Sequence, residues 1–109
     1  MRAKYKGYRV EWKIRKILEE DGWIVIRSGG SFGHADLVCI KEGKCVFFQI
    51  KSTKKDKIYY YGYMNDKISG FPFFILVDFG HSDIEVFKPS QTLEKGKGIP
   101  LREFLDRIE

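Results

Sequence analysis

The chain has few of the residues and segments that mark several common classes of protein. Its only cysteines, Cys39 and Cys45, lie in apolar, strand-like runs, which favours buried reduced thiols over a disulfide framework. Two cysteines cannot form a zinc site by themselves. No apolar run approaches the roughly 20 residues that cross a bilayer, and the amino terminus is basic and unlike a signal peptide. We therefore expect a soluble, cytoplasmic protein that has no contact with a membrane.

The sequence does contain enough apolar material for one modest core. Apolar residues make up 43% of the 109 residues and aromatic residues 16%. No repeat, low-complexity tract or linker divides the chain, so we predict one domain over residues 1–109. Lys and Arg outnumber Asp and Glu by 20 to 15, and the net charge is +5. This charge suits a polyanionic partner, although many ordinary domains are mildly basic.

Hydrophobic periodicity predicts a single-domain α/β fold in which helices flank a central mixed sheet. Apolar residues at helical spacing predict a first helix from Tyr8 to Asp21, which Gly22 would stop. The remaining elements follow from strand, turn and helix signals. They are a strand at Trp23–Ser28, a hairpin of Ala35–Lys41 and Lys44–Ser52 with a turn at Glu42-Gly43, a short helix ending at Gly70, a hairpin of Phe71–Phe79 and Ile84–Phe87, and a terminal helix with Pro100 in its first turn.

The first hairpin collects polar side chains at one end of an otherwise apolar face. With the turn at positions 42 and 43, the register places Asp36 opposite Gln49. Because side chains alternate along a strand, Lys51 lies on the same face as Gln49, and Ile50 lies on the other. A slip of one residue would separate Asp36 from Gln49, so the register is a direct test of this prediction.

Glu11 is a second unusual residue, because it lies on the buried stripe of the first predicted helix. It shares that stripe with Ile14 and Leu18. A buried charge is costly unless it is paired or binds a metal. Two explanations stay open: an edge carboxylate that reaches water or pairs with an arginine, or a functional group that reaches the polar end of the hairpin.

Three motifs follow one another in a recognisable order. They are Lys6-Gly7 followed by Glu11, Arg27-Ser28 leading through a glycine-rich loop to Asp36, and Gln49-Ile50-Lys51-Ser52-Thr53-Lys54. In this order, over roughly residues 4 to 60, they resemble the PD-(D/E)xK nuclease superfamily and, within it, the archaeal Holliday junction resolvases. The resemblance implies a restriction-endonuclease-like fold, magnesium-dependent cleavage of DNA, a homodimer, and an archaeal or archaeal-virus host.

Two positions depart from the pattern of that superfamily. Ala35 stands where a proline usually precedes Asp36, a position that mainly shapes the backbone. Gln49 stands where the superfamily usually has an acidic metal ligand. An amide oxygen can coordinate Mg²⁺ but contributes no negative charge, so the affinity for the metal should fall. Mrr-like restriction nucleases are similar to this chain in carrying QxK, so the substitution does not require inactivity.

The resemblance implies which residues would hold the metal and assist hydrolysis. Asp36, the amide oxygen of Gln49 and the backbone carbonyl of Ile50 are predicted to hold Mg²⁺ or Mn²⁺. Glu11 would contribute directly or through water. A water molecule would be the nucleophile, and Lys51 would orient it or stabilise charge on the phosphate. The predicted catalytic residues are Glu11, Asp36, Gln49 and Lys51.

Cations and serines around this centre are predicted to contact DNA phosphates. For each residue alone, a solvated surface role or a turn role is the commoner explanation, and only their grouping favours DNA. The predicted contacts are Lys4, Lys6, Arg9, Arg27, Ser28, Ser31, Lys54, Lys55 and Lys57.

Aromatic residues and histidines give a weaker signal. The tyrosines at positions 59, 60, 61 and 63 could stack on unpaired bases at a four-way junction, but a core or dimer interface is favoured. His34 would share a face with Asp36 and is assigned no role.

Three functions are consistent with the sequence. The leading hypothesis is a Holliday junction resolvase that works as a homodimer, so that two strands are cut symmetrically. The alternatives are an Mrr-like restriction or repair nuclease on duplex DNA, and a catalytically inactive module that only binds nucleic acid.

Overall fold

The computed structural model describes the backbone of residues 2–28 and 34–108 and the side chains of residues 9–28 and 34–108. A helix opens the described part of the chain and another closes it, with short strands between them. The elements are α1 (Arg2–Glu20), β1 (Ile24–Arg27), β2 (Leu37–Lys41), β3 (Lys44–Ser52), β4 (Lys57–Tyr59), β5 (Lys67–Ile68), β6 (Phe71–Asp78), β7 (Ile84–Phe87), β8 (Thr92–Glu94), β9 (Ile99–Pro100) and α2 (Leu101–Ile108).

Helix α1 has the buried stripe that its periodicity predicts. Ile14 and Leu18 are fully buried. The helix ends before Gly22, whose φ of 97° is a left-handed conformation that favours glycine. The helix begins at Arg2, earlier than the predicted start at Tyr8, because Lys6 and Gly7, one turn before Val10 in the sequence, carry no hydrophobic signal. No helix in the described ranges is long and apolar enough to cross a membrane.

The central sheet is mixed, as predicted. Its strand order is β1-β2-β3-β6-β7-β9, with β5 paired to β6 as well. Strands β3 and β6 are parallel, and the other neighbours are antiparallel. Strands β4 and β8 form a separate antiparallel pair.

The register of the first hairpin is the predicted one. Ile40 lies opposite Cys45, and Val38 lies opposite Phe47. The turn residues Glu42 and Gly43 both have positive φ, of 48° and 83°, as a two-residue hairpin turn of this type requires. This register leaves Asp36 level with Gln49 at the open end of the hairpin.

Each face of the sheet packs into its own core. On one face, the side chains of α1 and α2 pack against residues such as Leu37, Phe48 and Leu76. On the opposite face, Phe47 and Phe73 belong to a second core. The β4–β8 pair supplies part of that second core.

The helix predicted to end at Gly70 is wrong. In this stretch the chain forms β4 and β5, and Ile58 of β4 lies opposite Leu93 of β8. Pairing with a strand far along the chain overrides a weak local helical preference. Pro100 is also not in the helix, because it ends β9 and α2 starts at Leu101.

The cysteines are free thiols, as predicted; Cys39 is buried as expected, whereas Cys45 is only half-buried. Burial raises the pKa of Cys39 to about 12, with a smaller contribution from the neighbouring Cys45. Burial also raises the pKa of Cys45. Both side chains are therefore neutral thiols at physiological pH.

Candidate active site

The two ladders that flank β3 end at different points. The β2–β3 ladder ends at the Leu37–Phe48 pair, whereas the β3–β6 ladder continues to the Ser52–Asp78 pair. The last residues of β3 therefore have a strand neighbour on one side only. This stagger opens the edge of the sheet at the carboxyl end of β3.

Asp36 pairs with the first backbone N–H of β3 beyond the end of the β2–β3 ladder. Its backbone N–H donates to the Phe48 carbonyl at 2.8 Å. Its carboxylate oxygen Oδ2 accepts a hydrogen bond from the Ile50 N–H at 2.8 Å. The Ile50 carbonyl points to the same side as its N–H, because a residue in a ladder directs both groups at one neighbouring strand. A carboxylate and a backbone carbonyl thus meet at this edge.

A cleft of about 230 Å³ lies at this edge and brings several predicted site residues together. Three of the four predicted catalytic residues line it, as does Ile50, whose carbonyl was a predicted metal ligand. The lining residues are Val10, Glu11, Asp36, Ile50, Lys51 and Ser52.

Glu11 reaches the cleft from the face of the sheet opposite Asp36. Helix α1 packs on the face that Ile50 contacts, so Glu11 approaches around the end of the sheet. Its side chain is only 18% exposed and forms an ion pair with Arg27 at the end of β1. The arginine pair expected of a purely structural glutamate is therefore present, and it lies at the wall of the cleft.

Asp36 and Lys51 keep polar groups available to a ligand. The second carboxylate oxygen of Asp36 has no partner among the described residues and is not buried. Lys51 is half-buried, and no carboxylate of the described ranges lies within ion-pairing distance of it. The Lys51 ammonium and the Asp36 carboxylate therefore both border the cleft without forming an ion pair.

Gln49 does not line the cleft. It lies level with Asp36, but its amide oxygen is 3.3 Å from the hydroxyl of Tyr60. That hydroxyl donates to the Tyr63 carbonyl at 2.8 Å. Burial raises the pKa of Tyr60, and the bond to Tyr63 lowers it by less. Tyr60 is therefore a neutral phenol beside the Gln49 amide.

The donors at this edge fit a magnesium-like cation. Mg²⁺ is usually held by one or two carboxylates together with waters and other oxygens. The cleft offers the carboxylates of Glu11 and Asp36 and the carbonyl of Ile50. Within the described ranges, no group of three or more His, Cys, Asp and Glu side chains could hold a metal. A cation here would thus depend on two acids and on neutral oxygens.

Comparison with known proteins gives the family. A family model described as archaeal Holliday junction resolvase (Hjc) matches residues 2–109. The chain belongs to the Hjc family. Its structure also superposes on that of the Archaeoglobus fulgidus Hjc, titled a Holliday junction resolvase from an archaeal hyperthermophile, with a TM-score of 0.73 over 93% of this chain and 96% of that one. At 16% identity, this likeness supports the Hjc fold alone.

Sequence similarity to a curated Hjc protein is higher but shorter. Over 60 residues the chain is 42% identical to the crossover junction endodeoxyribonuclease Hjc of Methanocaldococcus jannaschii. The match covers 54% of this chain and 44% of that protein. The matched segment therefore spans less than half the length of this relative.

The cations predicted for DNA contact are mostly exposed in this Hjc-family chain. Arg9 is exposed, and so are the lysines at positions 54, 55 and 57. Ser28 is buried, and its hydroxyl donates to the Ala35 carbonyl, an arrangement that supports the turn role. The side chains of Lys4 and Lys6, and Ser31 as a whole, lie outside the described residues. DNA contact by these groups stays a prediction.

The tyrosine cluster divides into buried and exposed members. Tyr60 is 2% exposed and belongs to the second core. Tyr59 and Tyr61 are 59% and 87% exposed. Tyr63 stacks on His34 with ring centroids 4.1 Å apart. The cluster is therefore core in one part and accessible surface in another.

Sequence reasoning missed Trp12, which lies beside the active-site cleft. It is 53% exposed and lines a second cavity of about 410 Å³ that shares Val10 with the cleft. The Lys16 ammonium lies 5.8 Å from the centre of the Trp12 ring. The helical spacing held a usable signal, because position 12 lies off the buried stripe and a tryptophan there should be exposed.

Asp78 was also missed. It is 4% exposed at the end of β6 and pairs with Lys13 of α1 at 2.9 Å. Its second oxygen accepts from the Gly80 N–H at 2.7 Å. Both oxygens are bound, so Asp78 ties α1 to the sheet beside the cleft.

Proposed function

We propose that the protein is a metal-dependent endonuclease that hydrolyses phosphodiester bonds in branched DNA, with the Holliday junction as its substrate. The observation that carries this proposal is the cleft that Glu11, Asp36 and Lys51 share at the end of β3. Family membership supports it. The relative from Methanocaldococcus jannaschii is named a crossover junction endodeoxyribonuclease.

The metal would be Mg²⁺ or Mn²⁺. Asp36 and the Ile50 carbonyl would hold it, with Glu11 as a further oxygen ligand. The amide oxygen of Gln49, which faces Tyr60, would join them only on turning away from that hydroxyl. When bound, the cation would polarise the scissile phosphate and lower the pKa of an attacking water.

The protein's own groups have distinct tasks in this proposal. The Ile50 N–H fixes the carboxylate of Asp36, and Arg27 holds Glu11 at the wall of the cleft. Lys51 places its ammonium against a phosphate oxygen and stabilises the negative charge that grows there as the bond to the leaving oxygen breaks.

DNA binding draws on cations and one aromatic side chain around the cleft. Arg9, Lys54 and Lys55 are exposed and neutralise phosphates without reading sequence. Trp12, exposed beside the cleft, stacks on a base at the branch point, where stacking between base pairs is interrupted.

The working unit is a homodimer, because a symmetric four-way junction presents two equivalent strands to be cut. An exposed apolar strip on one face of the sheet supports this. Ile24 lies directly opposite Ile40, and these residues are 63% and 36% exposed, with Ile26 beside them at 43%. Exposed contiguous apolar surface of this kind marks contact sites. Replacing Ile24 and Ile40 with Lys should yield monomers in analytical ultracentrifugation.

A cleavage assay tests the proposed activity. A four-way junction and a linear duplex with the same arm sequences are incubated with the protein and Mg²⁺ or Mn²⁺, and again with a chelator added. We expect symmetric cuts in the junction that need the metal. Equal cutting of the duplex would instead favour an Mrr-like restriction or repair enzyme.

A binding module without activity is the second candidate. The position of Gln49 supports it, because the side chain contacts Tyr60 and does not line the cleft. Tight junction binding with no cutting in either metal would favour this function. Gln49→Glu should then create metal-dependent cleavage by restoring the acidic ligand.

A further inference from the structure

The Tyr60 hydroxyl has one hydrogen to donate, but two oxygen acceptors lie within reach of it. It lies 2.8 Å from the Tyr63 carbonyl and 3.3 Å from the Gln49 amide oxygen. A phenol has one O–H donor, and the shorter contact takes it. The hydroxyl therefore presents a lone pair to Gln49, and an amide oxygen is the wrong atom to face it.

Turning the amide by half a revolution resolves the mismatch. The oxygen and nitrogen of a side-chain amide have nearly the same shape, so hydrogen bonding decides which atom occupies which position. The Gln49 nitrogen has no partner among the described residues and is not a buried unsatisfied atom. After the turn, this nitrogen donates to Tyr60, and the amide oxygen takes the solvent-accessible position.

Tyr60 is held firmly enough to impose this orientation. Its side chain is buried, and its backbone N–H donates to the Gln91 carbonyl at 2.9 Å. The chain then folds back over the phenol at Gly62, where an added Cβ would lie 2.6 Å from the hydroxyl oxygen. A loop that leaves no room for a side chain at position 62 keeps the hydroxyl in one place.

We propose that Tyr60 is a positioning residue whose hydroxyl accepts a hydrogen bond from the Gln49 amide and so turns the amide oxygen outward as a neutral cation ligand. The inference rests on the proposed function and deepens it. It gives a physical reason for glutamine at this position. A glutamate carboxylate has no N–H to donate, so it could not make this hydrogen bond to the Tyr60 oxygen.

The experiment measures Mn²⁺ binding to the metal-free protein without DNA, by the electron paramagnetic resonance signal of free Mn²⁺. Tyr60→Phe keeps the ring and removes the acceptor. We expect its Kd for Mn²⁺ to rise about five-fold, the usual net effect of one hydrogen bond. Tyr61→Phe is the matched control, because Tyr61 is 87% exposed, and it should bind like the parent.

A second background separates positioning from general damage to the fold. In Gln49→Ala protein, Tyr60→Phe should cause no further loss of Mn²⁺ affinity, because the residue it positions is gone. An equal loss in both backgrounds would overturn the proposal. So would a Tyr60→Phe protein that binds Mn²⁺ as the parent does.

The hydrogen bond also has a signature that needs no metal. The side-chain NH₂ signals of Gln49, assigned by their loss in Gln49→Ala, should shift in the ¹H–¹⁵N spectrum of Tyr60→Phe while the backbone signals stay dispersed. Unmoved signals would overturn the proposal. If the parent neither binds Mn²⁺ nor cuts DNA, the proposed function fails as well. If the parent does both and Tyr60→Phe changes nothing, only the role of Tyr60 fails.

Discussion

An aspartate and a lysine lie close together at each end of the β2–β3 hairpin, with Asp21 supplied by the turn after α1, but the two pairs behave differently. Near the turn, the Lys41 ammonium lies 2.6 Å from the Asp21 carbonyl and 3.4 Å from its carboxylate. The Trp23 indole N–H donates to the same carboxylate at 3.1 Å. At the open end, Asp36 and Lys51 line one cleft, and no ion pair joins them within the described ranges.

This difference shows that burial alone does not separate structural acids from functional ones. Asp21 and Asp36 are both half-buried. What distinguishes them is whether a cationic side chain pairs with the carboxylate. Near the turn, Lys41 pairs with Oδ2 of Asp21, which also accepts from the Trp23 indole, and these contacts fix the fold. At the open end, the β2–β3 ladder stops and leaves part of the Asp36 carboxylate for a ligand.

Exchanging each aspartate for asparagine should give the largest contrast between the two ends. Asp36→Asn should reduce junction cleavage to background while lowering the free energy of unfolding by about 1 kcal/mol or less, because one hydrogen bond weakens. Asp21→Asn should cleave normally and lose about 1 kcal/mol of stability. Cleavage assays and urea unfolding measure the two effects. Cleavage by the Asp36→Asn protein would contradict the assignment of Asp36 to the active site.

The lysines provide the second contrast. Lys51→Met should slow cleavage by about a hundred-fold, because one stabilising group at the transition state is lost. Its affinity for junction DNA should change little. Lys41→Met should retain the parent rate and unfold at lower urea concentration. Single-turnover cleavage at saturating protein separates rate from affinity, and equal rates for the two variants would contradict the assignment.

Salt dependence should distinguish the ends more weakly. Replacing Lys54 and Lys55 with Ser should reduce the slope of log affinity against log salt by about 0.9 per lost phosphate contact. Lys44 lies at the start of β3, at the opposite end, and Lys44→Ser should leave the slope unchanged. Fluorescence anisotropy with a labelled junction at several salt concentrations provides the slopes. A shallower slope for Lys44→Ser would show that DNA contacts the turn end of the hairpin, which would contradict the proposed binding surface.

The smallest effect concerns the reactivity of the two cysteines, which lie in the strands of the hairpin. Because the pKa of Cys39 is raised to about 12 by burial, its thiol stays protonated and should resist iodoacetamide at pH 8. Cys45, whose pKa is also raised, should react more slowly than a free thiol. Mass spectrometry of native and urea-unfolded protein tests this, and rapid native labelling of Cys39 would show that the hairpin opens.

Local patterns were enough to predict the hairpin and the polar side chains that lie together at its open end. The turn at positions 42 and 43 and the alternation of side chains fixed the register, which placed Asp36 beside Gln49 and put Lys51 on the same face. Glu11 could be identified from one helical stripe. Each of these inferences uses residues that are close in sequence or joined by one turn.

Contacts between distant segments could not be predicted in this way. The contact of Gln49 with Tyr60 requires the chain to leave β3 and fold back over the sheet, where β4 pairs with β8. The ion pair of Lys13 with Asp78 joins α1 to the end of β6. Neither pairing has a periodic signal. The helix wrongly predicted before Gly70 fails for the same reason.

The unequal length of the two ladders around β3 also bears on how such a centre tolerates mutation. The N–H and carbonyl of residue 50 belong to the polypeptide backbone, so an exchange of the isoleucine side chain does not delete them. The first fixes Asp36, and the second faces the same opening. A replacement at position 49 therefore leaves in place the backbone groups that hold Asp36 and border the opening.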